Sequence, residues 1–408
     1  MKVLIINKYD NKGGAAIASQ RLVKALIKTD INASMLVEEK TTKLPFVTAL
    51  SENKFKLIYK KYKLLFEKIL FIPFEVSKKE RFSFSTTLFG NSIKHQKLVK
   101  NTDIIHLHWI NHSFLTLKNL EELNKLQKPI VITMHDMWYA TGGCHHSRTC
   151  FNYTTGCGNC MFLSHPKKND ISAKQFAKKK VVYSSNLTFV GCSNWLTQLA
   201  EQSPLLSNSK VLNIPNPIDI SLFIIQDKKK AKQLLKLDMS KKHILFAAAN
   251  VTNSRKGYKY LEKALEKLKE EEYEIIVLGD DKNNEINFAI PTIKLGYVYD
   301  LNTIITAYNA ADVFVSPTLE DNLPNTIMES MSCGTPCVAF KIGGIPDLID
   351  HKKNGYLAQY MNSEDLSSGI KWVLSNQEIG KLARKKVETT FSEEKIASQF
   401  IELYESLI

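Results

Sequence analysis

Residues 312–340 read DVFVSPTLEDNLPNTIMESMSCGTPCVAF. Asp312–Ser316 is apolar and β-branched, as a buried strand is. Asn322-Leu323-Pro324-Asn325 supplies a polar turn, and Pro324 suits a first helical turn, where a missing N–H costs little. Helix then spans Asn325 to Cys333, Gly334 ends it, and Pro336–Phe340 resumes as strand. A strand-end loop feeding a helix N-terminus presents free backbone N–H groups and the positive end of the helix dipole, which suits phosphate. Asp321 and Glu329 place two carboxylates beside it. Together they predict a ligand with both phosphate and hydroxyl groups, as in a nucleotide sugar.

The same strand–helix rhythm extends in both directions and defines an α/β fold of open parallel sheets. Upstream strands are expected at Val3–Asn7, Ala33–Val37, Asp103–Trp109, Ile130–His135 and Leu187–Cys192. Helices are expected at Ala15–Lys28, Leu115–Leu126 and Asn194–Gln202. The run Val211–Asp219 carries Pro215 and Pro217 and reads as an interdomain connector. A second alternation begins at His243–Ala249 and continues through Glu274–Gly279, the opening stretch and Gly355–Ala358. With 408 residues, two domains are expected, 1–215 and 216–390, followed by a helical segment 391–408 packing at their junction.

Composition narrows the class. Apolar content of 44% and aromatic content of 10% are those of a globular protein. The net charge of +14 is compatible with compositional bias or with an anionic partner. No aromatic-interleaved basic stripe supports nucleic acid as that partner. The chain has no stretch apolar enough to span a bilayer, opens directly into a strand, and clusters four of its seven cysteines. A reducing, cytoplasmic setting is therefore expected.

Lys54–Ile72, within an expected basic insertion at 53–72, has helical periodicity, with Ile58, Tyr62, Leu65, Ile69 and Ile72 on one face. Lys54, Lys56, Lys60, Lys61, Lys63 and Lys68 surround that face. Two readings stay open: a packed helix with a solvated lysine face, or an interfacial helix on an anionic membrane surface.

Gly13-Gly14 follows the first strand, where glycine permits close approach to a ligand. His135 ends a strand, in position to hydrogen-bond a sugar or to act structurally. His106 and His108 share a strand face and are not expected to be catalytic. Arg255-Lys256 sits at a strand–helix junction, suited to neutralising a diphosphate or to a solvated surface. Cys144, Cys150, Cys157 and Cys160 lie in a loop at 141–163, with His145 and His146 nearby. Structural zinc, disulfide or redox pairing, and free thiols all fit that spacing, whereas four ligands leave no open position for a catalytic metal.

In this order, the motifs GGAAIASQRLVKAL, DIIHLHWIN, ITMHDMWYATGGCHH, CGNC, IPNPID, RKGYKYL, EDNLPNTIMESMSCGTP and GGIPDLI resemble glycosyltransferase family four. Within it, the chain is similar to the branch acting in colanic-acid and exopolysaccharide assembly. The resemblance implies a GT-B fold, with two Rossmann-like doubly wound domains facing across a cleft, acceptor on the first and donor on the second. It also implies a retaining enzyme that transfers a hexose-type unit from a nucleotide diphosphate sugar to a lipid-linked or oligosaccharide acceptor, without a metal cofactor.

Carried over, Glu329 would hold the ribose and Asp321 the donor sugar, with His135 beside it. Lys256 and Arg255 would meet the diphosphate, with Gly13 and Gly14 facing it. Gly296, Tyr297 and Val298 would contact the base, and Asn322, Leu323, Pro324 and Asn325 would form the donor-facing turn. Two positions depart from the family pattern. Asp321 stands where a glutamate is usual, and Asn250-Val251 occupies the place of the usual diphosphate arginine. A nucleotide-sugar epimerase, or a non-catalytic glycan- or membrane-binding module, is the alternative.

Overall fold

The computed structural model describes residues 1–51, 54–183, 187–268, 272–281 and 286–408; side chains at 54–61 and 79 lie outside that description. The chain forms two units, Met1–Pro217 with Ile396–Ile408, and Ile218–Lys395.

The first unit is built on β1 (Lys2–Tyr9), β2 (Asn32–Glu39), β3 (Val47–Ala49), β4 (Ile104–Leu107), β5 (Ile130–Met134), β6 (Leu187–Gly191) and β7 (Lys210–Asn213). They form one sheet in the order β3-β2-β1-β4-β5-β6-β7, and every pairing is parallel. Both faces are covered, which is why the central strands read as unbroken apolar runs. Leu4 and Ile6 point into one core with Leu120 and Leu196. Val3 and Ile5 point into the other with Leu22, Leu26 and Phe400. The expected C-terminal helix spans Glu393–Glu405, and from Ile396 onward it packs into that second core.

The second unit holds β8 (Lys242–Asn250), β9 (Tyr273–Asp280), β10 (Thr292–Gly296), β11 (Val313–Ser316), β12 (Cys337–Phe340) and β13 (Gly355–Ala358). Its order is β10-β9-β8-β11-β12-β13, again all parallel. Each sheet has a topological switch point, between β1 and β4 in the first unit and between β8 and β11 in the second. Open parallel sheets bind ligands beyond the carboxyl ends of the strands at such points.

The expected helix at 54–72 is present as Lys54–Phe71. Of the face anticipated for it, Ile58 lies outside the described side chains, as do Lys54, Lys56, Lys60 and Lys61. From Tyr62 onward the apolar stripe is the exposed side: Leu65, Ile69 and Ile72 are all close to half exposed. The buried side carries Lys63 and Glu67 instead. A packed helix with a solvated lysine face is therefore not what the described part of this helix forms.

Candidate functional site

In the second unit the switch point brings the loops after β8 and β11 together. After β8, Asn253 caps a turn at Ser254–Lys256 by accepting from the Arg255 N–H at 3.0 Å. Gly257 follows at φ 72, and a Cβ there would stand 1.8 Å from the Pro317 carbonyl oxygen. Only glycine allows this approach. The Arg255 carbonyl then accepts from the Leu319 N–H at 2.7 Å and the Thr318 hydroxyl at 3.0 Å. The two loops are thus sewn together by backbone, and the Arg255 side chain remains exposed.

This stitching places Lys256 Nζ 2.8 Å from Asp321 Oδ2, with both side chains partly exposed. The Asp321 backbone is also pinned: a Cβ at Gly343 would lie 2.0 Å from its carbonyl oxygen. Asn322 donates its N–H to Asp321 Oδ1 at 3.0 Å, and Asn322, Leu323 and Pro324 are buried. The helix Asn325–Ser332 begins directly after Pro324, which occupies its N-cap and supplies no side-chain cap. At its other end Arg384 donates to the Ser332 carbonyl at 2.7 Å and the Ile220 carbonyl at 2.9 Å, fixing the helix C-terminus with a cation.

One turn into that helix, Glu329 Oε2 accepts from the Tyr308 hydroxyl at 2.9 Å. Tyr308 is buried, and its hydroxyl is held well above its usual range by that burial and then by the Glu329 charge. It therefore stays a donor. Nothing in sequence spacing marks Tyr308, which reaches Glu329 from the neighbouring helix Leu301–Ala310. Gly296 ends edge strand β10 at φ 68, and exposed Tyr297 lies 4.7 Å, centroid to centroid, from Tyr299; Val298 is half-buried between them.

In the first unit Gly13, at φ 88, caps the helix Gly14–Lys28 after β1. His135 follows β5 and is linked to His108, after β4, by a 2.8 Å Nε2–Nδ1 contact. His106 lies beneath, bonded to the Tyr404 hydroxyl at 2.7 Å and the Thr133 hydroxyl at 2.8 Å. Burial pushes His106 down to about 3 and His135 down to about 4, so both rings are neutral near pH 7. His135 can hydrogen-bond a ligand but does not act as a cation. His108 supports it, a role that strand alternation alone does not reveal.

Asp136 holds the Cys-rich loop to this edge. Its Oδ2 meets His145 Nδ1 at 2.7 Å and its Oδ1 accepts from the Trp138 N–H at 2.8 Å. Burial raises the carboxyl, but His145 and the Trp138 N–H outweigh it and keep it well below the usual carboxylate range. The His145 Nε2 lies 2.8 Å from the Ser85 hydroxyl. Both ring nitrogens are thus engaged within the protein, and His145 ties the Cys-rich loop to Asp136 and Ser85.

Cys144, Cys150, Cys157 and Cys160 are all free thiols lining one cavity of about 20 Å³. The Gly142 N–H donates to Cys157 Sγ at 3.1 Å. Among the described residues, no group of three or more His, Cys, Asp or Glu side chains is arranged to hold a metal ion.

The fold is that of the GT-B glycosyltransferases, two Rossmann-like parallel-sheet units. Residues 241–376, which contain Lys256, Asp321 and Glu329, match the model of the family described as Glycosyl transferases group 1. N-acetyl-alpha-D-glucosaminyl L-malate synthase of Bacillus anthracis is 20% identical over 75% of this chain and 75% of its own length. A putative colanic acid biosynthesis glycosyl transferase, WcaC, of Escherichia coli K12 is 24% identical over 63% of this chain and 65% of its own. An uncharacterized glycosyltransferase of Haemophilus influenzae is 27% identical, but that match spans 31% of this chain and 38% of the relative. Among solved structures, sucrose-phosphate synthase of Thermosynechococcus elongatus superposes with a TM-score of 0.69 at 16% identity, covering 100% of this chain and 99% of that one. Anabaena HepE in complex with UDP-glucose gives 0.65 at 16% identity, covering 100% of both.

Proposed function

We propose that this chain is a retaining glycosyltransferase that moves a hexose-type unit from a nucleotide diphosphate sugar to a lipid-linked glycan acceptor. The observation that carries the reading is the Lys256–Asp321 pair at the switch point of the second unit, with Glu329 one turn into the helix that follows. Lys256 and the first N–H groups of the helix after Pro324 supply positive charge where a diphosphate leaves. Asp321, paired with Lys256, accepts from donor-sugar hydroxyls. Glu329, oriented by Tyr308, accepts from the ribose hydroxyls. Neutral His135, at a strand end of the first unit, is suited to hydrogen-bonding a sugar hydroxyl.

In the transfer, the bond from the anomeric carbon to the diphosphate breaks and a bond to the acceptor oxygen forms on the same face. The acceptor proton passes to the departing diphosphate. No step calls for a metal, so activity without added Mg²⁺ is expected. The UDP-glucose complex of HepE supports the donor class, and the likeness to WcaC supports an exopolysaccharide, capsule or O-antigen pathway.

We place the protein in the cytoplasm, peripheral on the inner membrane face, through the exposed stripe of Lys54–Phe71. No helix among the described residues is long and apolar enough to cross a membrane. Structural zinc on Cys144, Cys150, Cys157 and Cys160 is also proposed, because the four thiols line one small cavity; they are not set as ligands here, so binding would require their side chains to rearrange. Metal analysis of the purified chain tests this: a zinc-to-protein ratio near zero after preparation without chelator would sink it.

A donor screen with labelled nucleotide sugars tests the main reading, with Glu329→Ala as the control. Binding of no common donor by the native chain would overturn it. Donor conversion without an acceptor would favour the epimerase instead.

A further inference from the structure

The first unit carries a groove with a volume of about 660 Å³ that none of the residues assigned to the donor lines. That is ample for a small-molecule site. One wall is Leu70, Phe71 and Phe74, at the end of the helix Lys54–Phe71 and the turn that follows it. The other walls are residues 86–90 and the first turns of the helices Leu117–Asn124 and Ile171–Val182.

Three features of this groove point to one kind of occupant. The described lining residues include Lys118, Lys174 and Lys178 but no acidic side chain, so the groove suits an anion. All three lysines are exposed, and Lys174 and Lys178 are one helical turn apart on one face. The groove also runs into uncovered apolar surface: Leu70 is 49% exposed, Leu88 54% and Phe66 55%. Apolar area of this kind on a soluble face marks an interaction site.

Finally, the helix is locked with this stripe outward. On its inner side Lys63 Nζ bonds Asn91 at 2.6 Å and lies 3.6 Å from Glu38. Glu67 accepts from the Thr86 hydroxyl at 2.9 Å and from Ser113. Turning the apolar stripe inward would expel two buried, bonded charges, so its exposure is a fixed property of the fold.

We propose that this groove holds the head of an anionic membrane lipid, with its phosphate on the three lysines and its hydrocarbon chain along Leu70, Phe74 and Leu88. A small soluble anion would use the lysines and leave the apolar wall bare; a phospholipid uses both. The proposal deepens the membrane contact set out above and rests on it.

The test uses the full chain and phosphatidylcholine vesicles with or without phosphatidylglycerol. Co-sedimentation measures affinity, and a phosphatidylglycerol photolabel in the acyl chain maps the contact by peptide mass spectrometry. The expected results are phosphatidylglycerol-dependent binding and labels on residues 70–90. The double variant Lys174→Glu/Lys178→Glu should weaken binding by more than about tenfold, since each lysine near an anionic surface is worth roughly a fivefold change. Lys371→Glu/Lys381→Glu, on exposed lysines of the other unit, should change it far less.

Equal loss in both double variants, or labels clustered elsewhere, would overturn the groove. Vesicle binding that survives Lys174→Glu/Lys178→Glu would also overturn it, while leaving the helix contact standing. UDP and GDP binding by the same samples reports on the donor reading separately: its persistence beside failed vesicle binding would sink the groove alone.

Discussion

At the residue scale, the Glu329–Tyr308 pair makes a graded prediction. Glu329→Ala removes a charged acceptor and should weaken UDP binding by roughly 10- to 100-fold, as loss of hydrogen bonds to a charged group does. Tyr308→Phe removes only the group that orients the carboxylate and should cost roughly fivefold. Calorimetric titration of both variants checks this; a larger loss in Tyr308→Phe than in Glu329→Ala would refute the assigned roles. The histidines make a second prediction. Because folding lowers the pKa of His106 and His135, the unfolded chain takes up these protons first as the pH falls below about 6.5. Stability should therefore decline from about pH 7 to about pH 5, and keep declining until the folded values of about 3 to 4 are passed. Urea unfolding midpoints that stay level from about pH 7 to about pH 5 would contradict buried neutral rings.

At the scale of elements, Gly257 and Gly343 matter more than their size suggests, because each lets a second backbone approach the donor-facing loops. Gly257→Ala adds a Cβ into the Pro317 carbonyl at a left-handed φ, and should destabilise the second unit by about 2–3 kcal/mol. It should also weaken donor binding by displacing Lys256. Denaturant unfolding and donor titration read the two effects separately, and a variant unchanged in both would show the loop contact to be dispensable.

At this scale the elements are unevenly legible in the sequence, for physical reasons. Strands β8 and β11 are legible because both faces are buried. Strands β7 and β10 are not, because these two edge strands bury no residue fully and so carry no unbroken apolar run. In Lys54–Phe71 the periodicity specified a helix with an apolar stripe, but periodicity cannot say whether a stripe is covered. Lys256 and Asp321 were legible from their strand-end positions. Tyr308 was not, because the bond joining it to Glu329 depends on how two helices pack.

At the scale of the whole molecule, the first unit is completed by residues distant in sequence. Phe400 and Tyr404 are buried beside β1 and β4, and the Tyr404 hydroxyl bonds His106. Deleting 396–408 should expose this core face and leave His106 without its phenol partner. We expect the truncated chain to lose near-ultraviolet circular dichroism from the first unit, or to aggregate. A truncated chain with native spectra and an unchanged unfolding midpoint would show that the helix only decorates the surface.

The same return of the chain sets an order of synthesis. Residues 218–395 are continuous, so the second unit has all of its core once Lys395 has emerged from the ribosome. The first unit, begun earlier, must wait for residues 396–408 to close its sheet. The half of the molecule made first is therefore finished last. Until then it presents an uncovered apolar sheet face to chaperones, and a pause in translation before residue 396 would prolong that exposure.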